Sequence, residues 1–409
     1  MKKLNNKKLN SRIGYYPKDW IVTKFGEIAS VTKLAGFEFT EHITYLENGE
    51  IIALRALNLK KGKLDLSDVK YIDKSVSDNL IRSKLFKNDI VFSYVGTIGE
   101  VAIIEEDNKY HLAPNVAKIV VNKENDAKYM TYYLISEYAH KEIKRLLTTS
   151  SQPALSMGNI REIQVPIPPL LEQRKIANIL STWDKAIELK EKLIEQKKQQ
   201  KKGLMQKLLT GEVRLPGYSG EWKKVKLGEI LKERKETGYT ELELLAITSS
   251  KGVVKRTEVD IKDNSSEDKS KYKRILPNDI GYNTMRMWQG VSGVSKYEGI
   301  VSPAYTILKP TNKVNSNFIG YLFKLPKIIN LFRRYSQGLV SDTLNLKYEN
   351  LKGIKVTIPQ DVEEQKKIAE ILLSIDNEIE MLQEYVNYLK QQKKGLMQLL
   401  LTGKVRVKV

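Results

Sequence analysis

The chain contains itself twice. Residues 172–214 read EQRKIANILSTWDKAIELKEKLIEQKKQQKKGLMQKLLTGEVR, and residues 364–406 read EQKKIAEILLSIDNEIEMLQEYVNYLKQQKKGLMQLLLTGKVR. Placed at an offset of 192 without a gap, 25 of the 43 positions are identical. Each copy has a helical pattern and follows a globular stretch, and the globular stretches also echo one another. A chain ordered domain, helix, domain, helix is expected to form a pseudo-two-fold arrangement, with two similar heads separated by long helices that pack together.

The length of 409 residues allows two domains that each bury a core. Net charge is +20, divided as +5 over residues 1–168, +5 over 169–214, +10 over 215–359 and zero over 360–409. Three quarters of the excess therefore lies on the globular parts. Charge placed there attracts a polyanion and releases its counterions, although a solubility surplus has the same composition. There is no cysteine, so disulfides are excluded and secretion gains no support. The basic start MKKLNNKKLNSR has no apolar segment behind it, unlike a signal peptide. No stretch approaches the run of about 20 apolar residues that a membrane span needs, so a cytoplasmic protein that does not engage a membrane is expected.

Four regions are expected: a first domain over 1–168, a central helix region over 169–214, a second domain over 215–359 and a C-terminal helix region over 360–409. The domains open alike, with YPKDWIVTKFGEI and YSGEWKKVKLGEI placing Trp20 against Trp222 and Gly26 against Gly228. Both tryptophans are expected in the core, anchoring an incoming strand. Short β-branched runs at 51–59, 89–94, 101–104 and 116–121 read as strands. The turn KNDI at 87–90 has a partner in PNDI at 277–280. Helical periodicity runs over 130–147 and, more weakly, over 317–335. Each domain is thus expected to be mixed α+β.

Pro166, Pro168, Pro169 and Pro359 mark the domain exits, where a helix start tolerates the missing donor and a following acid complements the positive helix end. In the C-terminal copy a 3-4 apolar spacing runs through Leu372, Ile375, Ile379, Leu382, Val386, Leu389, Leu396 and Leu400, interrupted by Lys393. This is the pattern of a coiled-coil seam, and the two copies are expected to pair antiparallel. The central copy keeps Ile176, Leu180, Trp183, Ile187 and Ile194 but puts Lys190 and Lys197 at seam positions, where they either snorkel to water or mark a divergence. Leu180, Trp183, Ile187, Ile194, Leu372, Ile375, Ile379, Leu382, Val386 and Leu389 are the expected helix-packing residues. Gly203 and Gly395 are expected to divide each copy into a long helix and a short one, and Gly211 and Gly403 to stop it in left-handed geometry. A continuous helix over 172–202 would reach about 46 Å, which suits heads on duplex sites about one turn apart. A strut that docks a protein would explain the helices equally well. The segment after Gly403 is expected to meet the strand at Trp20, as Gly211 leads to Trp222.

These motifs, in this order and in two copies, resemble the specificity subunit of type I restriction-modification systems. The matching features are a W-x-x-x-K-[LF]-G-E-I opening, a variable domain, an I-P-x-P exit followed by E-Q, and a helix ending K-K-G-L-M-Q-x-L-L-T-G. The resemblance runs from Pro17 to Arg406. It implies a non-catalytic DNA reader in which each variable domain recognises half of a bipartite, asymmetric duplex site. The paired helices would set the gap and dock two modification subunits, and two restriction subunits carrying motor and nuclease would complete the complex. The same resemblance places S-adenosylmethionine, ATP and Mg on those partner subunits and none of them on this chain.

Within the second domain, YNTMRMWQGVSG at 282–293 followed by GIVSPAYTIL at 299–308 is similar to one recurrent class of recognition domain. Asn283, Arg286 and Gln289 suit base edges, because Arg pairs two-pronged with guanine and Asn or Gln with adenine. In the first domain SYVGTIG and LAPNV occupy corresponding places and offer Tyr94, Thr97 and Asn115. TTSSQP and RRYSQG pair Ser151 and Gln152 with Ser336 and Gln337. Such a polar run can approach DNA or cap a helix, and Arg333 and Arg334 favour a phosphate contact beside it. The two variable domains share little sequence, so the two half-sites should differ.

No catalytic constellation accompanies these features. His42, His111 and His140 are not paired at metal-ligand spacing, and no G-x-x-x-x-G-K-[ST] phosphate loop occurs. Ile167-Pro168-Pro169-Leu170 is similar to the Asp/Asn-Pro-Pro-aromatic motif of amino-methyltransferases but lacks its polar first and aromatic last residues. Neither a catalytic nor a metal-binding residue is therefore assigned. The alternative reading is a coiled-coil scaffold whose basic domains bind nucleic acid outside any restriction-modification system.

Overall fold

A computed structural model describes residues 8–11, 13–147, 153–249, 251–259 and 266–408. They form two compact units, residues 1–190 with 385–409, and residues 191–384. Each unit combines one α+β domain with a stretch of each long helix.

In the first unit an antiparallel four-stranded sheet runs in the order Val101–Ile103, Ile90–Ser93, Val116–Val121, Ala29–Lys33. A second four-stranded sheet is ordered Lys70–Ile72, Ile51–Leu54, Tyr110–Leu112, Lys84–Leu85, with a parallel pair at its centre. The strand opening the domain, Ile21–Lys24, pairs antiparallel with its exit strand, Gln164–Ile167. The second unit repeats two of these devices. Its four-stranded antiparallel sheet is ordered Ser292–Val294, Ile280–Asn283, Tyr305–Pro310, Leu231–Arg234, and Trp222–Lys226 pairs with Lys355–Pro359. The matched turns hold as well. Asn88 and Asn278 both have φ of +71°, and Asp89 and Asp279 each accept a backbone N–H three residues back.

Three expectations are corrected by the structure. The periodic stretch 130–147 is two helices, Ala127–Leu134 and Glu137–Leu146, because the Ser136 side chain caps the second. The stretch 317–335 divides likewise into Ser316–Leu322 and Pro326–Tyr335, with Pro326 at the first helical position. The spacer copies, by contrast, are single uninterrupted helices, Leu170–Thr210 of 41 residues and Val362–Leu400 of 39. An isolated glycine costs a helix only about 1 kcal/mol and keeps its N–H donor, so Gly203 and Gly395 are carried through. The stops do come at Gly211 and Gly403, with φ of +76° and +63°.

Within each unit the two helix segments run antiparallel. In the first, the Lys393 ammonium donates to Asp184 at 2.6 Å and the Lys190 ammonium lies 5.6 Å from the Tyr385 ring centre. In the second, Lys201 meets Asp376 at 2.6 Å and Lys197 meets Glu378 at 2.9 Å. The seam lysines are therefore held by a ring and by carboxylates. Leu180, Ile187, Ile194, Leu372, Ile379, Val386 and Leu389 are buried, and Trp183, Ile375 and Leu382 half-buried.

Candidate nucleic-acid interface

Each domain is fixed to the helices by the same two clusters, built from repeated residues. Glu172, 1% exposed, accepts from the Trp20 Nε1 and from the Arg406 guanidinium, at 2.7 Å on each oxygen. Arg406 also grips Asp19 and lies over the Trp20 ring. In the second unit Arg214 donates to Glu364, also 1% exposed, at 2.7 and 2.8 Å and lies over Trp222. The central copy thus supplies the glutamate to one clasp and the arginine to the other. The second cluster joins Tyr132, which donates to Asp184 at 2.7 Å, with Lys393 over its ring. Its counterpart joins Tyr321 to Asp376 at 2.7 Å, with Lys201 over the ring. Gly403 packs on Pro17 and Trp20, and Gly211 on Trp222, so the C-terminal segment meets the opening strand as expected.

Trp20 is buried as expected, but Trp222 is only half-buried, which corrects its placement in the core. Tyr16, on the hairpin of Lys8–Ser11 with Gly14–Pro17, stacks on Trp20 at 6.1 Å. No strand precedes Trp222 in the second unit among the described residues, and its Nε1 lacks a hydrogen-bond partner there.

Among the described residues, those singled out for DNA contact lie on loops carried by this frame and, for Arg333 and Arg334, on the last turn of a helix. In the second unit Asn283 ends a sheet strand, and its Oδ1 accepts the Met285 N–H, so part of its amide shapes the loop. Arg286 and Gln289 are exposed on the same loop. Met287 is buried beneath it, while Trp288 is half-buried and donates to the Met285 carbonyl. The Arg333 guanidinium, from the last turn of Pro326–Tyr335, lies 5.9 Å from the Trp288 ring centre, bringing that helix end onto the loop. Arg334 and Gln337 are exposed, and the backbone of Gln337 exchanges two hydrogen bonds with Asn345. The Leu346 N–H then donates to Thr284, tying this segment back to the loop.

The first unit assembles Tyr94, Thr97 and Asn115 on adjoining turns. The Tyr94 N–H donates to the Asn115 carbonyl, Gly96 and Gly99 take positive φ, and exposed Asn115 has φ of +70°. Burial raises the Tyr94 phenol pKa above its ordinary value, so it stays a donor near neutral pH. Ser151 and Gln152 lie outside the described residues.

Two lysines escaped the sequence reading. The Lys33 ammonium stands 5.8 Å from the Tyr94 ring centre, placing a cation beside that turn. Lys324 donates to the Gly290 and Ser292 carbonyls at 2.8 and 2.7 Å and braces the loop of Arg286 and Gln289 from behind. Burial, with the Lys201 charge second, pushes its pKa down to about 8. Neither lysine belongs to a repeated motif. The clasp residues did carry a signal, since they are the first and last identities of the duplicated segment.

The frame is therefore a duplicated one that carries two unlike sets of exposed polar loops. A family model of the type I restriction modification DNA specificity domain matches the chain twice, over residues 17–199 and 219–391. The chain belongs to the specificity subunits of type I restriction-modification systems. A Methanocaldococcus jannaschii protein named for the type I enzyme MjaX is 27% identical over 426 residues, 97% of this chain and 96% of its own length. The MjaVIII specificity subunit of the same organism is 28% identical over 439 residues, 96% and 94% of the two chains. The crystal structure of a type I S subunit from M. genitalium shares the fold, with a TM-score of 0.57 and 17% identity over 96% of this chain and 98% of that one. As a specificity subunit the chain is the DNA-binding, non-catalytic component of its system, with two target-recognition domains. Among the described residues no helix is long and apolar enough to cross a membrane.

Proposed function

We propose that each target-recognition domain of this subunit reads one half of a bipartite, asymmetric duplex site. The two long helices set the gap between the halves. The observation that carries this reading is the duplicated frame: corresponding clasps in both units, each an arginine on a buried glutamate beside a tryptophan, hold loop sets that differ in sequence, so position is kept while recognition varies. Asn283, Arg286 and Gln289 on one side, and Tyr94, Thr97 and Asn115 on the other, are assigned to the DNA face. Arg333, Arg334 and Gln337 join the second set beside the backbone, and Ser151 and Gln152 join the first. Phosphate contacts fix register, and base-edge contacts from the Asn, Arg and Gln side chains give specificity.

The helix surfaces left outside the clasps dock two modification subunits, and two restriction subunits complete the complex. S-adenosylmethionine belongs to the former, ATP and Mg to the latter. Methylation requires the target adenine to leave the base stack, so the task of this chain is to place a partner over the correct base. Exchanging residues 16–168 for the first domain of another specificity subunit tests the division of labour. Mapped methylated adenines should change sequence in one half-site only, whereas a change in both halves would contradict modular reading.

A further inference from the structure

The second domain carries an apolar finger that the reading above does not use. Gln337 and Asn345 pair through both backbone groups and close a loop. Inside it the Val340 N–H donates to the Thr343 Oγ1, which donates in turn to the Val340 carbonyl, and Gly338 takes φ of +140° against the Thr343 backbone. The tip is Leu339, 102% exposed, followed by Val340 at 61%. Two adjacent aliphatic side chains thus stand in water at the tip of a loop closed by its own hydrogen bonds.

Charge identifies what covers it. Residues 299–348 hold seven Lys or Arg and one acidic residue, Asp342. Arg333 and Arg334 stand four and three residues before the loop, and Arg333 lies on Trp288 of the loop bearing Arg286 and Gln289. The Leu346 bond to Thr284 joins the finger to that same loop. Basic flanks with an aliphatic tip match the chemistry by which proteins push Leu, Ile or Phe between base steps while cations hold the phosphates on either side. A docked protein would not call for so one-sided a charge.

We infer that Leu339 and Val340 form a wedge that enters the half-site read by the second domain and unstacks a base step there, easing extrusion of the adenine that the modification partner methylates. This inference rests on the half-site reading above. Leu339 and Val340 act as positioning residues, because the chemistry is done elsewhere.

The test uses the full complex of specificity and modification subunits on its mapped site: extrusion is read with 2-aminopurine replacing the target adenine of either half in turn, and methylation is read separately on the unsubstituted duplex, because 2-aminopurine has no 6-amino group to accept the methyl. Leu339→Ala with Val340→Ala should lower the fluorescence rise and the methylation rate in the second half-site by about tenfold, and leave the first half-site unchanged. Leu339→Met should restore both signals. Unchanged fluorescence and methylation in the second half-site would overturn the wedge, as would an equal loss in both halves. Failure of the doubly substituted subunit to assemble with its partner would assign the finger to a protein interface and overturn it too. The tip is exposed, so the substitutions leave the core intact, and Leu339→Glu gives a second check through the same readouts. If the wild-type complex prefers no bipartite duplex, the half-site reading fails. If it does and the variants match it, only the wedge fails.

Discussion

Glu172 and Glu364 are the side chains on which each unit closes. Both are buried carboxylates that accept two bonds from an arginine of the other helix copy, and the cost of burying such a charge is offset only while the partner stays. Glu364→Ala should destabilise the subunit by about 3–5 kcal/mol in chemical denaturation, because Arg214 loses its counter-charge in a half-buried site, and Glu172→Ala should cost less, because Arg406 keeps Asp19. A loss below about 1 kcal/mol would show the clasps to be peripheral. Lys324 supplies a pH signature. Its pKa is lowered from 10.5 to about 8, so burying the ammonium weighs fully on the fold below pH 8. Above that the folded state releases the proton while the unfolded chain keeps it. The wild-type protein should therefore gain stability relative to Lys324→Met as pH rises from 8 to 10.5, and a flat difference would contradict the assignment.

The helices show what a single sequence does and does not expose. The seam from Leu372 to Leu400 was legible because 3-4 spacing is a direct consequence of helix geometry, and it lies buried or half-buried as expected. Continuity through Gly203 and Gly395 was not legible, since glycine reads as a breaker while its real cost is small against a packed seam. No atom lies within 4 Å of a Cβ built at either position. Gly203→Ala and Gly395→Ala should each stabilise the subunit by about 1 kcal/mol, readable as a higher denaturation midpoint. Destabilisation would mean that the backbone there is not regular helix. The polar cluster of Tyr132, Asp184 and Lys393 was hidden for another reason. Asp184 and Lys393 stand 209 residues apart, and the tyrosine comes from a domain helix outside the repeat. Trp222 is less buried than Trp20 because, among the described residues, no hairpin like Lys8–Ser11 with Gly14–Pro17 precedes it. The residues proposed to face bases were only partly legible. The structure joins Asn283, Arg286 and Gln289 to the end of the Arg333 helix, but Lys33 and Lys324 emerge only when strands and helices fold around their loops.

Taken as a whole, the chain divides labour between what is repeated and what varies. Clasps, polar clusters, glycine stops and one four-stranded sheet recur in both units, and exposed loops with unlike side chains ride on them. The family model matches the chain once in each half, as this repetition requires. The long helices, 41 and 39 residues, are proposed to determine the spacing of the two half-sites. This is tested most directly by inserting seven residues in each helix, in register with the seam, and sequencing the adenines that the reconstituted methyltransferase modifies. At 1.5 Å per residue the insertion adds about 10 Å, so the gap should lengthen by about three base pairs with both half-sites unchanged. An unaltered gap in an active complex would contradict the account.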